Sequence, residues 1–190
     1  MEEKKNAAVE DDKLINDILN IDSMVFPKHL QGTFEEVKSR FLVNRDMFIL
    51  LHDEDKLIGY MCFFPVKDEL YGEILKGEKL FDSDIPANLL EQYNEFNTYK
   101  MFVISAAIIP EYQGKGLSKQ LIKGFYKHLL EKKEKNILFS AALSVAVTGG
   151  GEHLLNLMKF QKVKVLPTGH ALYERIIDDT YYSFLESELS

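Results

Sequence analysis

Long apolar runs are missing from this chain. None of its hydrophobic stretches reaches the roughly 18 residues that a membrane-spanning helix needs, which argues against a membrane partner. Cysteine is nearly absent too. The single Cys62, inside the apolar segment LIGYMCFFP, excludes an internal disulfide and reads as a reduced, buried thiol. The histidines, His29, His52, His128, His153 and His170, show no metal-ligand spacing, so no metal is expected. There is no surplus of positive charge: the formal net charge of −7 argues against a nucleic-acid partner held through phosphate contacts. The opening MEEKKNAAVEDDK carries charge where a signal peptide would be apolar. With the reduced thiol, this predicts a cytoplasmic protein.

What remains is an ordinary soluble composition without internal repeats, in a length that suits one domain. The expected organisation is a charged tail over 1–12, a single domain over 13–177 and a C-terminal tail over 178–190. Leu14, Ile15, Ile18 and Leu19 have helical spacing, which predicts a helix over 13–31. Thr33 and Glu36 have capping-box spacing, which predicts a second helix there. MFILLH (47–52) and LIGYMCFFPV, separated by the polar turn DEDK, predict a hairpin. Two later strands, at about 99–109 and 136–145, are apolar almost throughout, as strands buried on both faces are. Between them Leu117, Leu121, Phe125 and Leu129 recur every four residues and predict a helix from about Gly116 to Lys133. EHLLNLM reads as a short helix, and KVKVL with ALYERII as a closing strand pair. The class is therefore α/β or α+β, with a mixed sheet flanked by helices.

Acid is concentrated over 66–98, where Asp68, Glu69, Glu73, Glu78, Asp82, Asp84, Glu91 and Glu95 stand against Lys67, Lys76 and Lys79. Such a segment is either a solvated excursion or an acidic mouth on the substrate side that attracts a cation. It is too long to be structureless, and ELYGEIL and IPANLLEQY predict two short helices in it.

The stretch PEYQGKGLSKQL, 110–121, joins a buried strand to an amphipathic helix through Gly114 and Gly116. A helix N-terminus offers unpaired amides and about half a positive charge, and glycine lets phosphate oxygens approach the backbone. Lys115 and Lys119 add cations. The turn therefore suits a phosphate or diphosphate. A nucleoside-triphosphate loop would need G-x-x-x-x-G-K followed by Ser or Thr, which is not present. A dinucleotide fold would need a third glycine where Lys119 stands, and an acid where Ser140, Ala141 and Ala142 stand.

Ile108 to Ser118 resembles the acetyl-CoA-binding segment of the GCN5-related N-acetyltransferase (GNAT) superfamily, whose turn reads Gln/Arg-x-x-Gly-x-Gly/Ala. Gln113 and Gly116 match, and Ser118 takes the place of the last small residue. The order of elements agrees over about 13–177. The resemblance implies a GNAT-like fold whose sheet splays between the strands at 99–109 and 136–145. It implies acetyl-CoA as cosubstrate, with its diphosphate on the amides of Gln113, Gly114, Lys115, Gly116, Leu117 and Ser118. It also implies that Ala106, Ala107 and Ile108 pair with the pantetheine arm as an added strand. Ser140, Ala141 and Ala142 would then belong to the opposite wall.

The resemblance implies acetyl transfer to an amine, of a small cationic molecule or a peptide, in a ternary complex. The catalytic residues are not named by it. Many members carry Asn-x-x-Ala-x-x-Leu-Tyr-x-Lys-x-Gly-Phe on the following helix, where the tyrosine can protonate the leaving thiolate. Aligning Phe160 with the final Phe puts Leu155 in the tyrosine's place and Lys159 in the glycine's. Ser144, Thr148 and His153 lie nearby as other proton donors, and Glu111, Glu174 and the acids of 66–98 are candidate bases. A non-catalytic acyl-CoA-binding sensor or partner module is the alternative. Whether DDTYYSFLESELS packs at home or against a second copy in a homodimer is open.

Overall fold

Apolar positions spaced at three and four residues, alternating with strands that are apolar throughout, assemble into a sheet covered on both faces. The computed structural model describes residues 2–190, with side chains from residue 9 onward except that of Asp82. Helix α1 (Glu2–Val25) and helix α2 (Phe34–Val43) precede a hairpin of β1 (Phe48–Asp53) and β2 (Lys56–Val66). Helix α3 (Asp68–Lys76) follows, then β3 (Asn97–Ile108), α4 (Ser118–Glu134), β4 (Ile137–Ala146) and α5 (Gly149–Leu157). The chain closes with β5 (Gln161–Val165), β6 (Ala171–Ile176) and α6 (Asp179–Leu189). The strands form one sheet in the order β1-β2-β3-β4-β6-β5, parallel only between β3 and β4. This is the mixed α/β sheet that the sequence predicts.

Strand β2 shows how the layers are built. Its Tyr60 hydroxyl bonds Asp22 of α1, whereas its Phe63 ring meets Phe125 of α4 edge-on, 5.0 Å between centroids. Positions three apart on a strand point to opposite faces, so α1 and α4 cover opposite sides. Ile15, Ile18 and Ile21 on α1, and Leu121, Phe125 and Leu129 on α4, are buried in the common core.

Several boundaries differ from expectation. Within the expected 1–12 tail, Glu2 to Asp12 are helical and begin α1. That helix stops at Val25 because Phe26 precedes Pro27, and a residue before proline disfavours the helical region. Helix α2 starts at Phe34, with Thr33 and Glu36 forming the capping box. In the acidic segment the first expected helix forms as α3. The second shrinks to a single 3-10 turn, Ala87–Leu89, because the end of β2 supplies other backbone partners: Lys67 N–H donates to Leu89 O and Glu91 N–H to Pro65 O. The 178–190 segment is α6, with Tyr181, Tyr182 and Leu185 buried against this same chain. Its Tyr182 hydroxyl accepts a bond from Phe139 N–H at 3.0 Å.

Candidate active site

The site is built where β3 and β4 part. Their parallel pairing runs from Asn97 opposite Ile137 to Val103 opposite Ser144 and stops there. Strand β3 nevertheless continues to Ile108 with β2 as partner on its other edge. The register between β2 and β3 slips at Ile104, which has no counterpart between Cys62–Ser105 and Phe63–Val103. Such a bulge bends the bulged strand and raises its twist, and here it coincides with the parting. At the fork the Ser144 hydroxyl donates to Val103 O at 2.7 Å. Beyond the fork the backbone of 104–108 has no strand beside it on the β4 side.

A cavity of about 630 Å³ opens in the gap. Of the residues predicted from the sequence, Ala106, Ala107, Ile108, Gln113, Gly114, Gly116, Leu117 and Ser118 all line it. Lys115 does not. Its ammonium rests 4.6 Å from the centre of the Tyr112 ring, outside the lining. The far wall is Ser144, Val145, Val147 and Thr148. Ser140, Ala141 and Ala142, expected in that wall, lie before the fork: Ala141 and Ala142 are paired with Lys100 and Met101 of β3.

Gly114 and Gly116 have φ of +73° and +76°, a region that favours glycine, and a Cβ on either would meet no atom within 4 Å. The turn therefore has open space where side chains at these two positions would project. The left-handed turns also delay α4, which starts at Ser118 instead of Gly116. Gln113 folds its amide back to donate to Ile108 O at 2.7 Å, tying the turn to the end of β3. Gly150 and Gly151 line the cavity from the start of α5, where Thr148 caps the helix through Gly151 N–H at 3.0 Å. TGGG is thus both a sharp turn and a cavity wall.

The proton-transfer candidates fare unequally. Leu155, in the expected tyrosine position, is 2% exposed and lines the cavity without any polar atom. Thr148 is committed to its cap and Ser144 to the fork. His153 lines the cavity at its exposed side. Glu111 is solvated and pairs with Lys56 at 3.4 Å. Glu174 accepts from Tyr71 at 2.6 Å, away from the lining.

A smaller hollow of about 30 Å³ adjoins the cavity across the bulge, and Phe26, Ile104, Ser105, Val145 and Val147 line both. It holds Asp22, 7% exposed, whose carboxylate accepts from the buried Tyr60 hydroxyl. Burial, with Asp22 next to it, pushes the Tyr60 phenol well above its ordinary range, so it stays a donor near neutrality. Sequence reasoning missed Asp22, yet a signal was there. With Ile15, Ile18 and Leu19 it occupies positions i, i+3, i+4 and i+7 of one helical stripe, a charge where the pattern calls for an apolar residue.

Of the two readings of the acidic segment, the described residues favour the solvated excursion beside these two hollows. Among the described residues, none of its acids lines either hollow, and it contributes Leu80 and Phe81 to the smaller one instead. Asp68 pairs with Lys100 at 2.8 Å, and Asp84 accepts from the amides of Leu80 and Phe81 at 3.1 Å each. The Asp82 side chain lies outside the described residues.

Residues 15–146 match the Acetyltransferase (GNAT) family. No curated protein sequence matches the chain. Solved structures agree in fold. The GphF GNAT-like decarboxylase in complex with isobutyryl-CoA is 8% identical with a TM-score of 0.63, over 87% of this chain and 95% of that one. An N-acetyltransferase from Staphylococcus aureus Mu50 is 15% identical with a TM-score of 0.55, over 88% and 94%. Arabidopsis thaliana NAA60, in complex with a bisubstrate analogue, is 13% identical with a TM-score of 0.55, over 86% and 92%.

Proposed function

The chain belongs to the GNAT family of acetyltransferases, and from that premise we propose that it transfers an acetyl group from acetyl-CoA to an amine by direct attack within a ternary complex. One observation carries the reading: the family's turn opens onto the gap between β3 and β4, where eight of the nine sequence-predicted cofactor residues line one cavity. The amides of Gln113 to Ser118 would hold the diphosphate, with room for it where Cβ atoms at Gly114 and Gly116 would project. Ala106, Ala107 and Ile108 would hydrogen-bond the pantetheine arm along the free edge of β3. Bound there, the thioester supplies an activated acyl group, and the protein contributes chiefly by positioning the amine against it. Acetyl is the family's acyl group, and the isobutyryl-CoA in the GphF structure makes longer acyl-CoAs part of any test.

A second reading, an acyl-CoA-binding module without transfer, is favoured by the leucine in the tyrosine's place. It does not follow of necessity, because a thiol with a pKa near 8.5 leaves tolerably at neutral pH with a proton from water. Thermal unfolding with saturating acetyl-CoA, with NADH as control, tests the binding step common to both. Ligand at about 100 times Kd stabilises by ~2.7 kcal/mol, a rise of roughly 5–11 °C for a chain of this size. An equal response to NADH would sink the CoA assignment. Given binding, turnover against a panel of amines separates transferase from module.

A further inference from the structure

The transfer reading uses one end of β3 and leaves the other unassigned. Segment 89–91 lies against the end of β2: Leu90 is bridged to Val66, Lys67 N–H donates to Leu89 O and Glu91 N–H to Pro65 O. From there the chain arches to the start of β3, and Tyr99, 4% exposed, pins the arch. Its hydroxyl accepts from Asn94 N–H at 2.7 Å and donates to Gln92 O at 3.0 Å. The arch and the start of β3 line a hollow of about 410 Å³, within the size range of small-molecule sites. This hollow shares no lining residue with the cofactor cavity. Thr98 in the one and Ala106 in the other are eight residues apart on β3, about 26 Å along the strand.

We propose that this hollow is a second ligand site, and that it takes a free α-amino acid with a small polar side chain. The charge pattern carries the choice. Lys67 and Glu91 are the two charged residues of the lining, and they are of opposite sign. In the antiparallel bridge Lys67 stands opposite Leu89, so Glu91 is its diagonal neighbour on the same face, roughly 7–8 Å away and within reach of long side chains. Even so, neither side chain forms an ion pair or a hydrogen bond among the described residues. Burial, with Asp68 nearby, raises the Glu91 carboxyl above its usual range although Lys67 opposes the shift. The carboxylate therefore gains from an ammonium placed beside it. A zwitterion supplies both missing partners at once, its α-ammonium to Glu91 and its α-carboxylate to Lys67. Gln92, Asn97 and Thr98, whose side chains also hydrogen-bond nothing in the described chain, offer amide and hydroxyl groups to the ligand's side chain. A neutral polyol would use those groups and leave both charges unmatched.

Isothermal titration of the full chain with L-serine, L-asparagine and L-glutamine tests the site. Their N-acetyl derivatives, their α-carboxamides and glucose serve as controls. At least one parent amino acid should bind. Its N-acetyl and α-carboxamide derivatives each lack one charge and should bind at least about tenfold more weakly, and glucose should not bind. Glu91→Gln and Lys67→Met should each weaken the parent's binding by at least about tenfold, while the acetyl-CoA-induced thermal shift stays at its wild-type value. Failure of all three amino acids to bind the folded chain would overturn the proposal. So would both variants binding within threefold of wild type, or glucose or the capped derivatives binding as well as the parent.

Discussion

At the scale of single residues, backbone conformation separates the cost of a glycine from its use. Gly116 has φ of +76° with no atom within 4 Å of a would-be Cβ. Gly116→Ala therefore incurs only the left-handed penalty, about 1 kcal/mol or somewhat more, and lowers Tm by about 2–4 °C. If the turn holds the diphosphate, the same methyl group intrudes on the ligand, and the acetyl-CoA-induced rise should vanish. A variant that loses stability but keeps the rise would remove the turn from the site. Lys159 makes the converse point. It stands where the family's helix carries glycine, and its φ of +63° is what glycine adopts without strain. Its ammonium lies 5.8 Å from the Phe184 ring, an exposed contact worth about 0.5 kcal/mol. Relief of the left-handed strain outweighs that loss, so Lys159→Gly should raise Tm by about 1–3 °C. A fall on thermal unfolding would show that the Phe184 contact dominates.

At the scale of elements, one side chain bridges β3 and β4 at their fork. The Ser144 hydroxyl is buried and spent on Val103 O at 2.7 Å. Ser144→Ala leaves that carbonyl without this partner, at about 1–2 kcal/mol, and should lower Tm by several degrees while the acetyl-CoA-induced shift persists. Loss of the shift alone would instead make Ser144 a ligand contact. The strands that meet here were legible in the sequence, because their apolar runs and the glycine turn between them are local signals. The bulge at Ile104 was not. A strand buried on both faces is apolar on both, so a one-residue slip leaves no trace in its alternation. The capping box at Thr33 was readable for the opposite reason: its two partners are three residues apart. Asp22 falls between these cases. Its misfit on the α1 stripe is visible in the sequence, but its partner Tyr60 is 38 residues away and enters only with the packing of α1 on β2. In the acidic segment, net charge was legible and its destination was not, because Asp68 and Asp84 are taken up by Lys100 and by local amides.

At the scale of the whole molecule, the end of α4 remote from the glycine turn makes stability depend on pH. The His128 ring packs edge-on against Phe63, 4.8 Å between centroids, and its Nε2 is 3.5 Å from the Tyr93 hydroxyl. Burial, reinforced by the nearby Lys132 cation, lowers its pKa to about 4. Unfolded, the same imidazole titrates near 6.5. The unfolded chain thus binds the proton first as pH falls, and folding must give up stability between about pH 6.5 and 4, at up to about 1.4 kcal/mol per pH unit. Below that window a second group acts in the same direction. Lys132 donates to Asp46 and holds its carboxylate below the usual range. That contribution is present at neutral pH and disappears as Asp46 protonates in acid. Both losses fall on the helix that begins at the proposed diphosphate turn, so acid should loosen the site together with the fold. Urea denaturation at pH 7.5, 6.5, 5.5 and 4.5 reads the slope directly. His128→Leu should flatten the decline between pH 6.5 and 4.5, whatever it does to the absolute stability. Equal slopes in wild type and variant would mean that His128 is free to protonate in the folded chain, and that the acid sensitivity of α4 rests on the Lys132–Asp46 pair alone.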